Sequence, residues 1–181
     1  LTSAATPDNT DNTSIWVVVW GPNTCHMIYP KGSQAGLQIT DKGQVTIESG
    51  TGRMEAYRTH FKWDCGLVVR DWRYVVRICN INTTHLLGQS DSQAASAATA
   101  LIKLMARALY RIPNMSMGRA AFYMNRTVHS GLSVAALDKS QYVLKVNEGL
   151  SQFGTPNSWL SFLGVPLRRV DAILNTEAVV S

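Results

Sequence analysis

The sequence has little charge. Only 16% of its 181 residues are Asp, Glu, Lys or Arg, against roughly a quarter in typical soluble domains. A surface with so few charges is expected to be covered in part by another molecule. The net charge is +5, and no block of like charges occurs, so contact with nucleic acid or an acidic partner is indicated only weakly.

The sequence also lacks the patterns of common enzymes and metal sites. Cys25, Cys65 and Cys79 are odd in number and have no paired spacing, which favours reduced thiols over a disulfide framework. No nucleophile elbow, phosphate-binding glycine loop or zinc-finger spacing occurs. The carboxylates are few and scattered, so they offer no acid/base pair. We therefore predict no catalytic residue, no metal ligand and no cofactor.

The histidines do not change this prediction. His60 and Asp64 are four residues apart on a predicted strand, too far for direct contact along it. His85 is predicted in a turn, and His129 in a helix without a partner. Each fits a surface or core histidine better than a catalytic one.

Membrane-spanning runs and a signal peptide are absent too, so no membrane partner is predicted. The chain begins at Leu1 with a polar segment rich in Pro, Asn, Asp, Thr and Ser. We expect residues 1–14 to be a linker, and the chain to be a fragment or a processed protein whose upstream part is missing.

The stretch from Arg53 to Asn82 is predicted to form one very long strand, or two collinear strands with a kink. Before Cys65-Gly66 the odd positions Tyr57, Phe61 and Trp63 are aromatic, and after it the even positions are mostly apolar. Because strands have period two, this change of phase needs a bulge or bend, for which Gly is suited. Two ordinary strands of one sheet, joined at Gly66, are an equally good interpretation.

Shorter strands precede this stretch. The apolar run Ile15 to Trp20 predicts a buried strand, and Thr24 to Tyr29 predicts a returning strand after a turn at residues 21–23. Between Gly36 and Gly52, two strand-like pieces flank Asp41-Lys42-Gly43, which is typical of a hairpin turn.

Two helices follow. Ser90 begins a capping-box pattern, and an apolar stripe then continues to about Arg111, where Pro113 ends the helix. On another face Lys103, Arg107 and Arg111 form a basic line, most simply a solvated face. Asn125 is predicted to cap a second helix that reaches about Asp138.

Strand predictions surround the second helix. We expect a strand at Ala120 to Met124, another at Tyr142 to Val146, a loop over residues 147–158, and a terminal strand at Leu167 to Leu174. The elements alternate without a βαβ repeat, so the predicted class is α+β.

Several of these segments together resemble the major capsid proteins of tailed double-stranded DNA phages, which have the Hong Kong 97-like fold. In that family a strand ending in a Met-Asn turn leads into a helix, as at Met124-Asn125. A Leu-Gly-x-Pro segment leads into a closing strand, as at Leu163 to Pro166. The segments at 15–33 and 63–78 are similar to the short-tailed-phage branch.

The resemblance implies an axial and a peripheral domain. We expect a linker at 1–14, a β-rich part at 15–89 whose long strand is shared with the peripheral domain, an axial part at 90–158, and a terminal strand at 159–181 that returns to the peripheral domain. The family's N-terminal arm, extended loop and spine helix are not found in the sequence. No motif for subunit cross-linking is found either.

The resemblance also implies a function. The chain would be a non-enzymatic subunit of an icosahedral capsid, assembled in the bacterial cytoplasm as hexamers and pentamers around packaged DNA. Its partners would be other copies of itself, with scaffold, portal and decoration proteins as further candidates and DNA contacted non-specifically if at all. Two sets of charged residues are candidate edges between subunits: Asp71, Arg73 and Arg77, and Arg168, Arg169 and Asp171. Solvated strand faces explain them equally well.

Three other functions stay open. The same fold forms the shell of encapsulin-like nanocompartments, which enclose cargo proteins. The Trp and Arg content of Trp63 to Arg77 suggests a nucleic-acid-binding module, although its aromatic residues share a face with apolar ones, as core residues do. A hydrolase with an unrecognised site is the weakest alternative.

Overall fold

The computed structural model describes residues 10–32, 36–50, 52–87, 91–138, 144–150 and 156–180. Helices and mixed sheets confirm the α+β class. The chain divides into two compact units. We call residues 1–25 and 69–181 the main unit, and residues 26–68 the ribbon unit.

The described residues form ten strands and three α-helices. The strands are β1 (Asn12–Trp20), β2 (Cys25–Ile28), β3 (Gln38–Ser49), β4 (Gly52–Lys62), β5 (Gly66–Val69), β6 (Val75–Asn82), β7 (Arg119–Met124), β8 (Leu144–Leu150), β9 (Pro156–Phe162) and β10 (Val165–Arg169). The α-helices are α1 (Thr83–Leu87), α2 (Asp91–Arg111) and α3 (Arg126–Asp138).

Strand β1 is central in the main unit. It pairs antiparallel with β6 on one edge and with β7 on the other, so that Val17 faces both Val76 and Phe122. Ile15, Val17 and Val19 are fully buried, as the continuous apolar run predicts for a strand covered by helices.

The sheet continues beyond β7. Strand β10 pairs parallel with β7, β9 pairs antiparallel with β10, and β8 forms a hairpin with β9. The rings of Phe122 on β7 and Phe162 on β9 meet edge to face, with centroids 5.8 Å apart. This aromatic contact ties two strands that do not pair directly.

The helices supply the rest of the main core. The predicted stripe on α2 is confirmed, because Leu101, Leu104, Met105 and Ala108 are buried against the core that includes β1 and β7. The helix ends at Arg111, as Pro113 predicts. The capping residue proposed at Ser90 lies outside the described residues.

The second helix prediction is also confirmed. Asn125 lies just before α3, and its side-chain carbonyl accepts a hydrogen bond from the Thr127 backbone N–H at 2.9 Å. The Asn125 amide also donates to the Ile173 carbonyl. One residue therefore caps the helix and fixes the segment that follows β10.

Residues 170–180 lie along the main unit through hydrogen bonds. The Asn80 side chain accepts from the Val180 backbone N–H at 2.9 Å and donates to its carbonyl at 2.8 Å. The Thr13 hydroxyl donates to the Leu174 carbonyl at 2.8 Å, and the Glu177 backbone N–H donates to the Asn12 carbonyl at 2.9 Å. The predicted terminal strand therefore ends at Arg169, and residues 170–180 are held by side chains and single bonds instead of a ladder.

The structure corrects the prediction for Arg53 to Asn82. Three separate strands, β4, β5 and β6, replace the long or collinear strand, and a short 3₁₀ turn at Trp72–Tyr74 precedes the last. The chain does break at residues 63–65, next to the predicted Cys65-Gly66 position. Alternation over the whole stretch identified strands but not their ends.

The first strands also differ from the predictions. Strand β1 begins at Asn12, and Asn12 to Ser14 are buried, so the linker predicted at 1–14 does not extend to residue 14. Strand β2 bridges β1 in parallel at Trp20 and Cys25, so it does not return antiparallel.

Two turns and a loop were predicted at the wrong places. The chain passes through Asp41-Lys42-Gly43 as a bulge inside β3, and the hairpin turns instead after the Ser49–Gly52 pair. His85 lies in α1, not in a turn. Strands β8 and β9 occupy much of the loop predicted at 147–158.

None of the described helices is long and apolar enough to cross a membrane.

The double role of Asn125 gives a stability prediction. Asn125→Ala removes the helix cap and the bond to Ile173, so we expect the free energy of unfolding to fall by about 1–2 kcal/mol. Urea denaturation of the unassembled full-length subunit measures it. Asn114→Ala is the matched control, because Asn114 is exposed and only accepts from the Ser116 N–H; an equal loss in both variants would contradict the prediction.

Candidate assembly surfaces

The described residues of the ribbon unit form no hydrophobic core. Among the described residues of 26–68, no apolar side chain is buried. Its strands β3 and β4 form a two-stranded antiparallel sheet of 12 and 11 residues, roughly 40 Å long at about 3.4 Å per residue. An isolated two-stranded hairpin is marginally stable in water, so this element needs a surface to pack against.

Large apolar side chains are concentrated on this unit. Of the 21 exposed large hydrophobic residues in the described part of the chain, eleven lie in residues 26–68. Tyr57 is 86% exposed, and Ile39 and Phe61 are each 62% exposed. Apolar surface gathered in this way marks an interaction site rather than the scattered exposure of ordinary surfaces.

One face of the hairpin, which we call face one, is apolar near the open ends of its strands. Ile39 pairs with Phe61, and Tyr57 lies on the same face of β4, four residues closer to the turn. Towards the turn the same face becomes polar, with Thr46 opposite Glu55 and Glu48 opposite Arg53. Glu48 and Arg53 form an exposed ion pair at 2.8 Å.

The opposite face, face two, has the reverse arrangement. Near the turn it carries apolar pairs, Val45 with Ala56 and Ile47 with Met54. Near the open ends the β4 positions of this face are basic, namely Arg58, His60 and Lys62. Each face therefore carries its apolar side chains in one half of its length, and these halves lie at opposite ends. On face one, the polar residues Asp41, Thr59 and Gln44 lie among the apolar ones.

The bulge in β3 places the apolar side chains of β3 opposite those of β4 on both faces. The register shifts by one residue between Asp41 and Gln44, and Gly43 has φ of 67°. The Gly43 N–H donates to the Asp41 carboxylate at 2.9 Å. Because one extra residue inverts the side-chain phase, Ile39 faces Phe61 while Ile47 faces Met54.

The first predicted charged set is engaged within the chain. Arg73 donates to the Asp71 carboxylate at 2.7 Å, and the Arg73 backbone N–H donates to it at 3.0 Å. The hydrogen bonds from the Arg73 side chain and then its backbone lower the pKa of Asp71. This exposed pair lies in and beside the 3₁₀ turn, not on a strand edge.

Arg77 lies apart from that pair. It donates to Ser14 Oγ and to Glu177 Oε2, both at 2.9 Å, and its guanidinium lies 5.3 Å from the Trp16 ring centroid. It therefore links β6, β1 and the segment 170–180, which is an intramolecular role.

The second predicted charged set forms a small network. Arg126 donates to Asp171 at 2.8 Å, and Arg169 lies 3.6 Å from the same carboxylate. The hydrogen bond from Arg126 is the main cause of the lowered Asp171 pKa. Arg168 is exposed and forms no ion pair with any described residue. A role of either set between subunits stays a prediction.

Within the residues that the structure describes, no three His, Cys, Asp or Glu side chains are grouped as metal ligands. None of the three cysteines forms a disulfide within the described residues: Cys25 and Cys79 are buried and Cys65 is exposed. His129 lies on α3, where burial and the nearby Arg169 lower its pKa.

The hairpin itself was missed by sequence reasoning. Its two strands were read as unrelated pieces, because Gly43 suggested a turn eight residues too early. The available signal was the pair of glycines at 50 and 52, between two segments of nearly equal length that both alternate.

Comparison with known families gives one finding for the chain. The family model described as major capsid protein GP7 matches residues 3–181. No curated protein gives a significant match.

The Asp171 network gives a pH prediction. An aspartate pKa lowered below its ordinary value of about 3.9 adds stability at neutral pH, and this contribution is lost as the pH falls through the lowered pKa. Removing the Arg126 hydrogen bond should therefore raise the Asp171 pKa towards its ordinary value.

An NMR titration of the Asp171 carboxyl in Arg126→Gln measures this change. Arg168→Gln is the control, because it removes a neighbouring charge that is not bonded to Asp171. An unchanged Asp171 pKa in Arg126→Gln would show that the ion pair is not formed in solution.

Proposed function

The chain belongs to the major capsid protein GP7 family, and from this premise we propose that it assembles into hexamers and pentamers of an icosahedral shell around packaged double-stranded DNA. Membership makes the chain a structural subunit of a phage capsid, as the sequence resemblance predicted. Self-association into the shell and a place in the virion capsid follow from the family. The symmetry of the assembly and the enclosed DNA belong to the proposal.

The observation that carries the proposal is the coreless ribbon unit. Residues 26–68 expose apolar side chains on both faces of a hairpin that buries none of them in its own subunit. A ring of identical subunits provides each copy with two neighbours through heterologous contacts. We propose that face one packs on one neighbour and face two on the other.

The finer fold assignment is part of the same proposal. The mixed sheet, its helices and a separate extended hairpin are compatible with the axial and peripheral domains of the Hong Kong 97-like fold. The absence of enzymatic activity, contacts with scaffold, portal and decoration proteins, and assembly in the host cytoplasm are inferred from the family in the same way.

Electron microscopy of the full-length protein after expression tests the proposal. We expect closed shells or capsomer rings, and nucleic acid inside shells recovered from infected cells. Shells that contain only protein cargo would favour a nanocompartment. A monodisperse monomer at all concentrations and salt conditions, with scaffold supplied, would refute the proposal.

The ribbon can be tested separately. In Tyr57→Gln/Phe61→Gln and in Ile47→Gln/Met54→Gln, we expect assembly to be lost, because truncating central apolar contacts costs about 2 kcal/mol or more per interface. The free energy of unfolding of the unassembled subunit should change by less than about 0.5 kcal/mol, since these side chains are exposed there. Light scattering and urea denaturation give the two readouts.

Arg58→Gln/His60→Gln is the matched control on the same strand. These positions lie on the polar half of face two, so shells should still form. If the control abolishes assembly as completely as the apolar variants do, the apolar halves are not what neighbouring subunits contact.

A further inference from the structure

Helix α2 carries three positive side chains along one exposed line. Lys103, Arg107 and Arg111 are spaced four residues apart, so they occupy successive turns and span about 12 Å. All three are exposed. From residue 94 to Arg111 the helix contains no Asp or Glu.

Nothing in the described part of the chain balances these charges. Six other cations form ion pairs with acidic side chains of their own chain, whereas Lys103, Arg107 and Arg111 form none with any described residue. Like charges four residues apart destabilise a helix. The helix dipole favours cations only in the last turn, which contains Arg111 alone.

The surface beside the basic line is open and lined by small side chains. A groove of about 450 Å³ runs along α2, and its lining includes Ala95, Ser96, Thr99 and Ala100 together with Lys103 and Arg107. Small side chains let a bulky anion approach the helix closely. Tyr110 is 87% exposed and lies three residues from Arg107, on the adjoining surface of the helix.

We propose that this basic face of α2 binds the phosphate backbone of double-stranded DNA. Lys, Arg and Tyr side chains are common partners of phosphate oxygens. Duplex DNA carries one negative charge per about 1.7 Å of its axis, so a row about 12 Å long faces roughly seven phosphate charges in any register. Binding is therefore independent of DNA sequence.

A polyanion fits this face better than an acidic protein surface does. The six ion pairs already engage Glu48, Asp64, Asp71, Asp171 and Glu177. The seven other Asp and Glu residues of a second copy are scattered along the sequence, and no three of them have the regular spacing of the three cations. The evenly charged DNA backbone meets all three at once.

The DNA contact therefore lies on α2 and not in the segment Trp63 to Arg77, whose Trp and Arg content first suggested nucleic-acid binding. Arg73 and Arg77, in the Trp and Arg-rich stretch from Trp63, are committed to Asp71 and Glu177. Helix α2 keeps its cations available. The inference rests on the proposed function, since only a shell that encloses DNA gives this face its ligand.

Fluorescence anisotropy with a short random-sequence DNA duplex tests the proposal on full-length capsomers over a range of salt concentrations. In Lys103→Gln/Arg107→Gln/Arg111→Gln, the negative slope of log affinity against log salt should become less steep by about 2.7, or about 0.9 for each lost phosphate contact. Gln has a helix propensity close to those of Lys and Arg, and circular dichroism checks that the helix is retained.

Lys31→Gln/Arg70→Gln/Arg119→Gln is the matched control. It removes the same total charge from exposed positions outside α2, and its slope should stay close to that of the unsubstituted protein. Equal slopes in the two triple variants, or no measurable binding of the unsubstituted protein at low salt, would overturn the proposal.

Two further measurements separate the outcomes. If the α2 variant loses binding to polyglutamate but keeps its DNA affinity, the face binds an acidic protein and the proposal is wrong. Electron microscopy of the same variants keeps the two hypotheses apart. Normal shells with an unchanged DNA slope refute the α2 site alone, while absence of shells from the unsubstituted protein refutes the proposed function.

Discussion

The main unit depends on the burial of one strand. β1 is paired on both edges, to β6 and to β7, and its Ile15, Val17 and Val19 side chains join the core together with α2 and α3. The strands β10, β9 and β8 extend the sheet from β1 in that order, beyond β7. Arg77 lies over the Trp16 ring, donates a hydrogen bond to Ser14 and forms an ion pair with Glu177. These contacts hold the segment 170–180 against the start of β1.

The ribbon unit is built on the opposite principle. Its strands β3 and β4 form hydrogen bonds with each other, but none of its described apolar side chains is buried. Its stability therefore has to come from surfaces outside the hairpin. A shell subunit can combine the two designs, because the first gives each copy a fixed shape and the second leaves free energy to be gained on assembly.

The sequence predicted the elements whose burial shows in their own pattern. The stripe of α2 has a clear helical period, Asn125 is a clear cap signal and the apolar run of β1 ends at a turn signal, and the structure has all three. The hairpin could not be predicted in this way, since alternation identifies a strand but not its partner, and a glycine with positive φ serves a bulge as well as a turn. The charged residues show a similar limit: Arg77 and Glu177 are 100 positions apart, so only the fold reveals that they pair.

The division of apolar side chains between the two faces of the hairpin also has a consequence for the unassembled subunit. A flat ribbon with one continuous apolar face would stack on copies of itself and start cross-β aggregates. Here Met54 and Phe61 of β4 lie on opposite faces, and the extra residue in β3 places Ile47 and Ile39 beside them. Each apolar half is continued by a charged one, with Glu48 and Glu55 on face one and Arg58 and Lys62 on face two. Stacking identical hairpins face to face would bury those charges, which disfavours such aggregates before the subunit assembles.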